Sequence, residues 1–149
     1  MTPTALWKRC IRCCLALMGF VAASSCGPSA ITADRIERAI EPTFANLVEI
    51  QVSLLKIPAL TASDVGTTAS CRRLVSGNDV GAGDWVCRLR WFGPDRQPLR
   101  DTFEVVVATD GCYTATAEGE QLGGLTLKAS DGRDVRNLLH TFEGCFDTM

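Results

Sequence analysis

The chain has 149 residues, 46% of them hydrophobic, with 15 basic and 17 acidic side chains, eight cysteines and one histidine, for a net charge of −2. A single histidine excludes a two-histidine metal site and the His-Glu-x-x-His helix, and the lack of a basic excess excludes a general nucleic-acid binder. No catalytic or cofactor motif is present, so the chain is read first for where it resides and how it is built.

In chain order, Lys8, Arg9 and Arg12 precede an apolar run from Cys13 to Ala23, and small residues follow. That is the layout of an export signal, and the run is too short to span a hydrocarbon core of ~30 Å, which takes ~20 apolar residues. The segment Ala23-Ser24-Ser25-Cys26-Gly27 resembles a lipobox, the site where bacterial lipoproteins are acylated and cut before the cysteine, although Ala23 stands where Leu is usual. The competing reading is ordinary signal-peptidase cleavage after Val21-Ala22-Ala23.

Cysteine parity decides between them. Cys10, Cys13 and Cys14 leave with the signal, and five cysteines remain, an awkward number in an exported chain. Acylation of Cys26 leaves Cys71, Cys87, Cys112 and Cys145 free to pair as two disulfides, the default outside the cytoplasm. Zinc is the weaker alternative, because none of the four is spaced C-x₂-C. The expected organisation is therefore a signal peptide at 1–25, the lipidated Cys26 with a short tether to 33, and one domain at 34–149. Two or three acyl chains anchor such a protein stably in a membrane, on its extracytoplasmic face. Secretion without an anchor is the alternative location. The mature chain carries 12 basic and 17 acidic groups, or −5.

Asp34 with Glu37 three residues on reads as a helix N-cap and capping box. Ile36, Ile40, Phe44 and Leu47 or Val48 then recur at helical spacing, with Pro42 either kinking the helix or opening a second one. The helix is expected to run to about Leu55, although Val48 to Leu54 also alternates as a strand would. Thr61 to Ser70 reads as loop or a short edge strand, and Ser76 to Asp84 as turn.

The clearest strand is Trp85 to Phe92, with Trp85, Cys87, Leu89 and Trp91 on one face and Val86, Arg88, Arg90 and Phe92 on the other, a half-buried antiparallel pattern. Thr102 to Ala108 is the next strand. Asp110-Gly111 reads as a two-residue type I′ hairpin turn, which would set Val107 opposite Thr114 and Val105 opposite Thr116 and place Phe103, Val105, Val107 and Cys112 on the core face. Leu125 to Lys128 reads as a fourth strand. Asp134 with Val135, Leu138 and Leu139 reads as a short C-terminal helix ended by Gly144. The fold class is α+β, a long N-terminal helix on an antiparallel sheet of about four strands, closed by that short helix. Proximity along the chain suggests Cys71 with Cys87 and Cys112 with Cys145, with all three connectivities open.

Asp84-Trp85-x-Cys87, Asp110-Gly-Cys112-Tyr113-Thr-Ala115 and Phe142-x-Gly144-Cys145-Phe146 together resemble a group of uncharacterised exported lipoproteins of high-GC Gram-positive bacteria, over roughly Asp34 to the end. The resemblance implies an envelope location and disulfides, and it implies no catalytic residue.

Candidate chemistry is sparse. As a base, His140 would need a nucleophile and an orienting carboxylate, as in a small envelope hydrolase, with Ser76, Ser130, Asp131 and Asp134 the available groups. Glu118 and Glu120, two apart in a polar loop, read as solvated surface rather than a glycosidase pair. Trp85 and Trp91 read as core rather than a sugar-stacking platform. The distributed feature is charge: residues 71–100 hold six arginines against three acids, while residues 101–149 hold three basic and nine acidic groups. Either the arginines pair with acids of neighbouring strands, or Arg72, Arg73, Arg88 and Arg90 form a basic face toward anionic lipid or cell-wall polymer. The favoured reading is a non-enzymatic module anchored in the membrane, binding an envelope protein or polymer, with no cofactor, no metal and no nucleic-acid partner.

Overall fold

A computed structural model of the chain describes residues 30–75 and 79–148. The signal segment, Cys26 and Ser76 lie outside them.

Helix α1, Ala33–Leu55, is one continuous helix through Pro42. Its buried stripe of Ile36, Ile40, Phe44, Ala45, Val48 and Val52 follows the helical spacing in the sequence, and it continues past Val48, so the strand alternative there is not taken. Asp34 is not the cap. Thr32 takes that position without a side-chain bond, and the helix start is held instead by a bridge between Thr32 and Val80 and by the Gly81 N–H on the Ile31 carbonyl. Asp34 instead lies in the first turn, where a negative charge suits the helix dipole, and pairs with Arg38 at 2.6 Å. Near the proline, the Ala39 carbonyl accepts from the Thr43 hydroxyl at 2.9 Å and from the Tyr113 hydroxyl at 3.4 Å.

After a single helical turn α2, Ala62–Val65, closed by a Thr61/Asp64 capping box, come seven strands. They are β1 Thr68–Arg73, β2 Gly83–Phe92, β3 Pro98–Val107, β4 Cys112–Ala117, β5 Thr126–Lys128, β6 Asp134–Arg136 and β7 Thr141–Cys145. Five of them form an antiparallel sheet in the order β1-β2-β3-β4-β7, and β5 and β6 pair as a separate ribbon. The sheet thus has five strands rather than about four, and Leu125 to Lys128 contributes to the ribbon, not to the sheet.

Two expectations are corrected. The C-terminal segment forms strands β6 and β7 rather than a helix, and among the described residues the one short helix is α2, before the sheet. Hydrogen bonds to distant parts of the chain hold this segment: the Gln51 side chain accepts the Leu138 N–H at 2.6 Å, and the Asn137 side-chain amide donates to the Leu122 and Gly124 carbonyls. The β3–β4 hairpin also pairs one residue away from the expected register, with Val107 opposite Tyr113 and Val105 opposite Ala115. Of the two turn residues only Gly111 has positive φ. The loop is therefore three residues long, closed by the Ala108 N–H on Cys112 and the Gly111 N–H on Ala108. The shift exchanges faces on β4: Tyr113, Ala115 and Ala117 point into the core, and Cys112 points outward.

The core lies between α1 and one face of the sheet. Phe44 sits at its centre, with ring centroids 4.9 Å from Trp91, 5.7 Å from Phe103 and 5.8 Å from Phe142. The two disulfides are Cys71–Cys87, joining β1 to β2 on the helix side, and Cys112–Cys145, joining β4 to β7 on the outer side, each between residues directly opposite in the ladder. No helix among the described residues is long and apolar enough to cross a membrane.

An unforeseen contact seals one sheet edge. The outward N–H groups of Ala69 and Cys71 on β1 donate to the carboxylates of Glu41, at 2.8 Å, and Glu37, at 2.7 Å, from successive turns of α1. Unpaired edge donors invite another strand, and here two acidic side chains occupy them.

Candidate functional site

Because α1 covers only one face of the sheet, the other is exposed. The ladder register places side chains in rows across it. Thr68, Arg90 and Arg100 form one row, Ser70, Arg88 and Thr102 the next, and Arg72, Val86 and Glu104 the third. Arg90 therefore stands directly opposite Arg100, two cations of like charge on neighbouring strands, an arrangement that costs a sheet ~0.2–1 kcal/mol.

The pairing of arginines with acids of adjacent strands does not occur. Among the described residues, Arg72, Arg88, Arg90 and Arg100 form no ion pair, and the four that do form join Arg38 to Asp34, Arg96 to Asp64, Lys128 to Asp134 and Arg133 to Asp131. Arg73 is different. It points to the helix side, where its guanidinium donates to the Val80 and Ala82 carbonyls and supports the bend before β2. It therefore leaves the expected basic face, and Arg100 joins it. Extending the outward face of β2 across the Gly93-to-Gln97 turn would have found Arg100, but starting β3 at Thr102 excluded it.

Two depressions open at this end of the sheet. One, of about 870 Å³, is lined by Thr68, Arg90, Phe92, Arg100 and Gln121 among others. The other, of about 390 Å³, is lined by Arg88, Arg100, Asp101, Thr102 and Gln121. They share Arg100 and Gln121. Beside the apolar Phe92, Pro98 and Leu99 of the larger depression and Asp101 of the smaller, the lining carries guanidinium forks, hydroxyls and an amide, donors suited to phosphate or carboxylate oxygens.

The remaining candidates are not assembled into a site. His140 is half-buried, and its Nδ1 lies 3.3 Å from the Thr141 hydroxyl; no carboxylate among the described residues hydrogen-bonds to it. Glu118 and Glu120 are exposed. Trp85 is fully buried with its indole N–H on the Gly81 carbonyl, and Trp91 packs edge-on against Phe44, so neither presents a face for stacking sugars. No group of three or more His, Cys, Asp or Glu side chains is placed to hold a metal among the described residues. The Asp64 carboxyl, held by the Thr61 hydroxyl and backbone, lies below the usual carboxylate range, and burial raises the Tyr113 phenol above its ordinary value.

Compared with family models, curated proteins and solved structures, the chain matches none. Among the described residues, the fold and this face define a two-layer α+β domain with one arginine-bearing sheet surface left uncovered.

Proposed function

We propose that the chain is a lipid-anchored, extracytoplasmic module of the cell envelope that binds an anionic ligand on the bare face of its sheet and performs no catalysis. The observation that carries this reading is the unpaired Arg90–Arg100 couple, with Arg88 in the adjoining row. A like-charge pair that forms no ion pair works against folding, and an incoming anion removes the repulsion. The location rests on the basic and apolar head of the sequence, the lipobox-like Ala23-to-Cys26 segment, and the two disulfides, which persist in oxidising compartments. A short tether from Cys26 would keep the domain within ~20 Å of the membrane surface, among anionic headgroups and polymers.

The test is retention of the full-length protein on an immobilised polyanion over a salt gradient, beside the triple variant Arg88→Gln, Arg90→Gln, Arg100→Gln. The reading expects salt-sensitive retention of the parent and its loss in the variant. Equal elution of the two proteins would remove it.

A further inference from the structure

The two edges of the five-stranded sheet differ. On β1 the outward N–H groups of Ala69 and Cys71 are taken by Glu41 and Glu37. The opposite edge is β7, Thr141–Cys145, whose ladder partner is β4. The Ala117 N–H on the His140 carbonyl and the Phe146 N–H on the Gly111 carbonyl fix how its backbone faces, with the even-numbered residues turned toward β4. The N–H and C=O groups of Thr141, Glu143 and Cys145 therefore point away from the sheet, and no group among the described residues hydrogen-bonds to them.

Helix α1 runs along the inner side of this edge. Phe44 packs against Phe142, with ring centroids 5.8 Å apart, and Gln51 accepts the Leu138 N–H, so the stretch of helix between them lies alongside residues 138–142. Because Glu37 and Glu41 face β1, helical spacing puts Leu47, Ile50 and Leu54 on the other flank, the β7 side. Leu47 is half-buried, whereas Ile50 is 49% and Leu54 39% exposed.

A row of free backbone donors and acceptors with an apolar shelf on its inner side suits an added strand. The outer side specifies that strand further. Glu143, at the middle of β7, is exposed on the outer face and forms no ion pair among the described residues. We infer that β7 takes an extended segment of another polypeptide, with apolar residues alternating toward α1 and a lysine or arginine opposite Glu143. Its apolar side chain beside Phe142 meets Leu47, and one beyond the Thr141 end meets Ile50. A second copy of this chain fits less well, because pairing β7 with itself over its full length centres on Glu143 and sets two carboxylates opposite each other. This edge is separate from the arginine-bearing face, and the inference stands apart from the anion-binding reading.

The experiment titrates the isotope-labelled full chain with the peptide acetyl-Leu-Thr-Val-Lys-Val-Thr-Leu-amide and follows backbone amides by NMR and hydrogen exchange. At a peptide concentration about ten times the dissociation constant, the amides of Thr141, Glu143 and Cys145 should shift and exchange about tenfold more slowly. Glutamate in place of the peptide's lysine should weaken binding about fivefold, and Glu143→Lys should reverse that preference. Ile50→Ser, at an exposed position, should weaken the lysine peptide about threefold. Methyl groups on the peptide's threonine and lysine amide nitrogens, which would face β7, should abolish binding, and methyl groups on its valine nitrogens should not. Absence of binding, shifts centred elsewhere, equal affinity of the lysine and glutamate peptides, or undiminished binding of the peptide methylated at threonine and lysine would each overturn the inference. So would protection of Glu143 and Cys145 that grows with protein concentration in the absence of peptide, since a second copy would then fill the edge.

Discussion

Replacing Glu37 and Glu41 together by alanine should both destabilise the fold and make the protein self-associate. Each carboxylate accepts one outward backbone N–H of β1, and each of the two contacts is partly buried. A hydrogen bond to a charged group is worth ~1.5–3 kcal/mol, and water can reach an edge strand in part, so the lower end applies and the pair is worth about 3 kcal/mol. For a domain of this size that corresponds to a fall of about 10 °C in melting temperature. Glu37→Gln with Glu41→Gln keeps neutral acceptors in place and should fall by about half as much, since neutral hydrogen bonds are roughly half as strong. Once freed, the edge offers the N–H groups of Ala69 and Cys71 to another strand, and sedimentation velocity at rising concentration should show association in the alanine variant alone. An alanine variant that melts within about 2 °C of the parent and stays monomeric would refute the idea that α1 seals this edge.

Graded reduction followed by alkylation should label Cys112 and Cys145 before Cys71 and Cys87, because Cys145 is exposed and Cys87 fully buried; peptide mass spectrometry reads the order, and the reverse would contradict the placement of the bridges. The Cys112–Cys145 bridge spans 33 residues, so removing it by paired serines should cost ~3–4 kcal/mol in a denaturant titration. Tyr113 is the single tyrosine, so absorbance near 295 nm follows it alone. Burial raises its pKa, hence the unfolded chain gives up the phenolic proton first: the stabilisation is whole below about pH 10 and is lost as the pH climbs through the folded value, and in denaturant the midpoint should return to about 10. Intact-mass analysis of the protein from its native host should show a chain beginning at Cys26 with added acyl mass, and an unmodified amino terminus would contradict the anchor.

Much of the fold was legible because one buried face imposes a strict period. The alternation from Trp85 to Phe92 and the stripe from Ile36 to Val52 each face the same core, and any slip would expose them. What was not legible depended on partners distant in sequence. Glu37 fits a capping box locally but is drawn off by Cys71, 34 residues on. Val135, Leu138 and Leu139 have helical spacing, yet the segment is too short to make a helix alone, and Gln51 and Asn137 fix its backbone otherwise. At Asp110-Gly111 the turn dipeptide was right and the loop length wrong: Asp110 accepts the Cys112 N–H through its side chain, which favours the three-residue form, and one residue of register moved Cys112 to the outer face. The candidate site was half visible for the same reason. Alternation placed Arg88 and Arg90 together, whereas Arg100 needed the true start of β3 at Pro98.

The most direct measurement is a backbone and arginine side-chain NMR titration of the protein with inorganic polyphosphate at moderate salt. Shifts confined to Thr68, Arg88, Arg90, Arg100, Thr102 and Gln121, absent in Arg88→Gln with Arg90→Gln and Arg100→Gln, are what the account predicts. Shifts centred on α1 or on the β5–β6 ribbon, with the open end of the sheet unmoved, would contradict it.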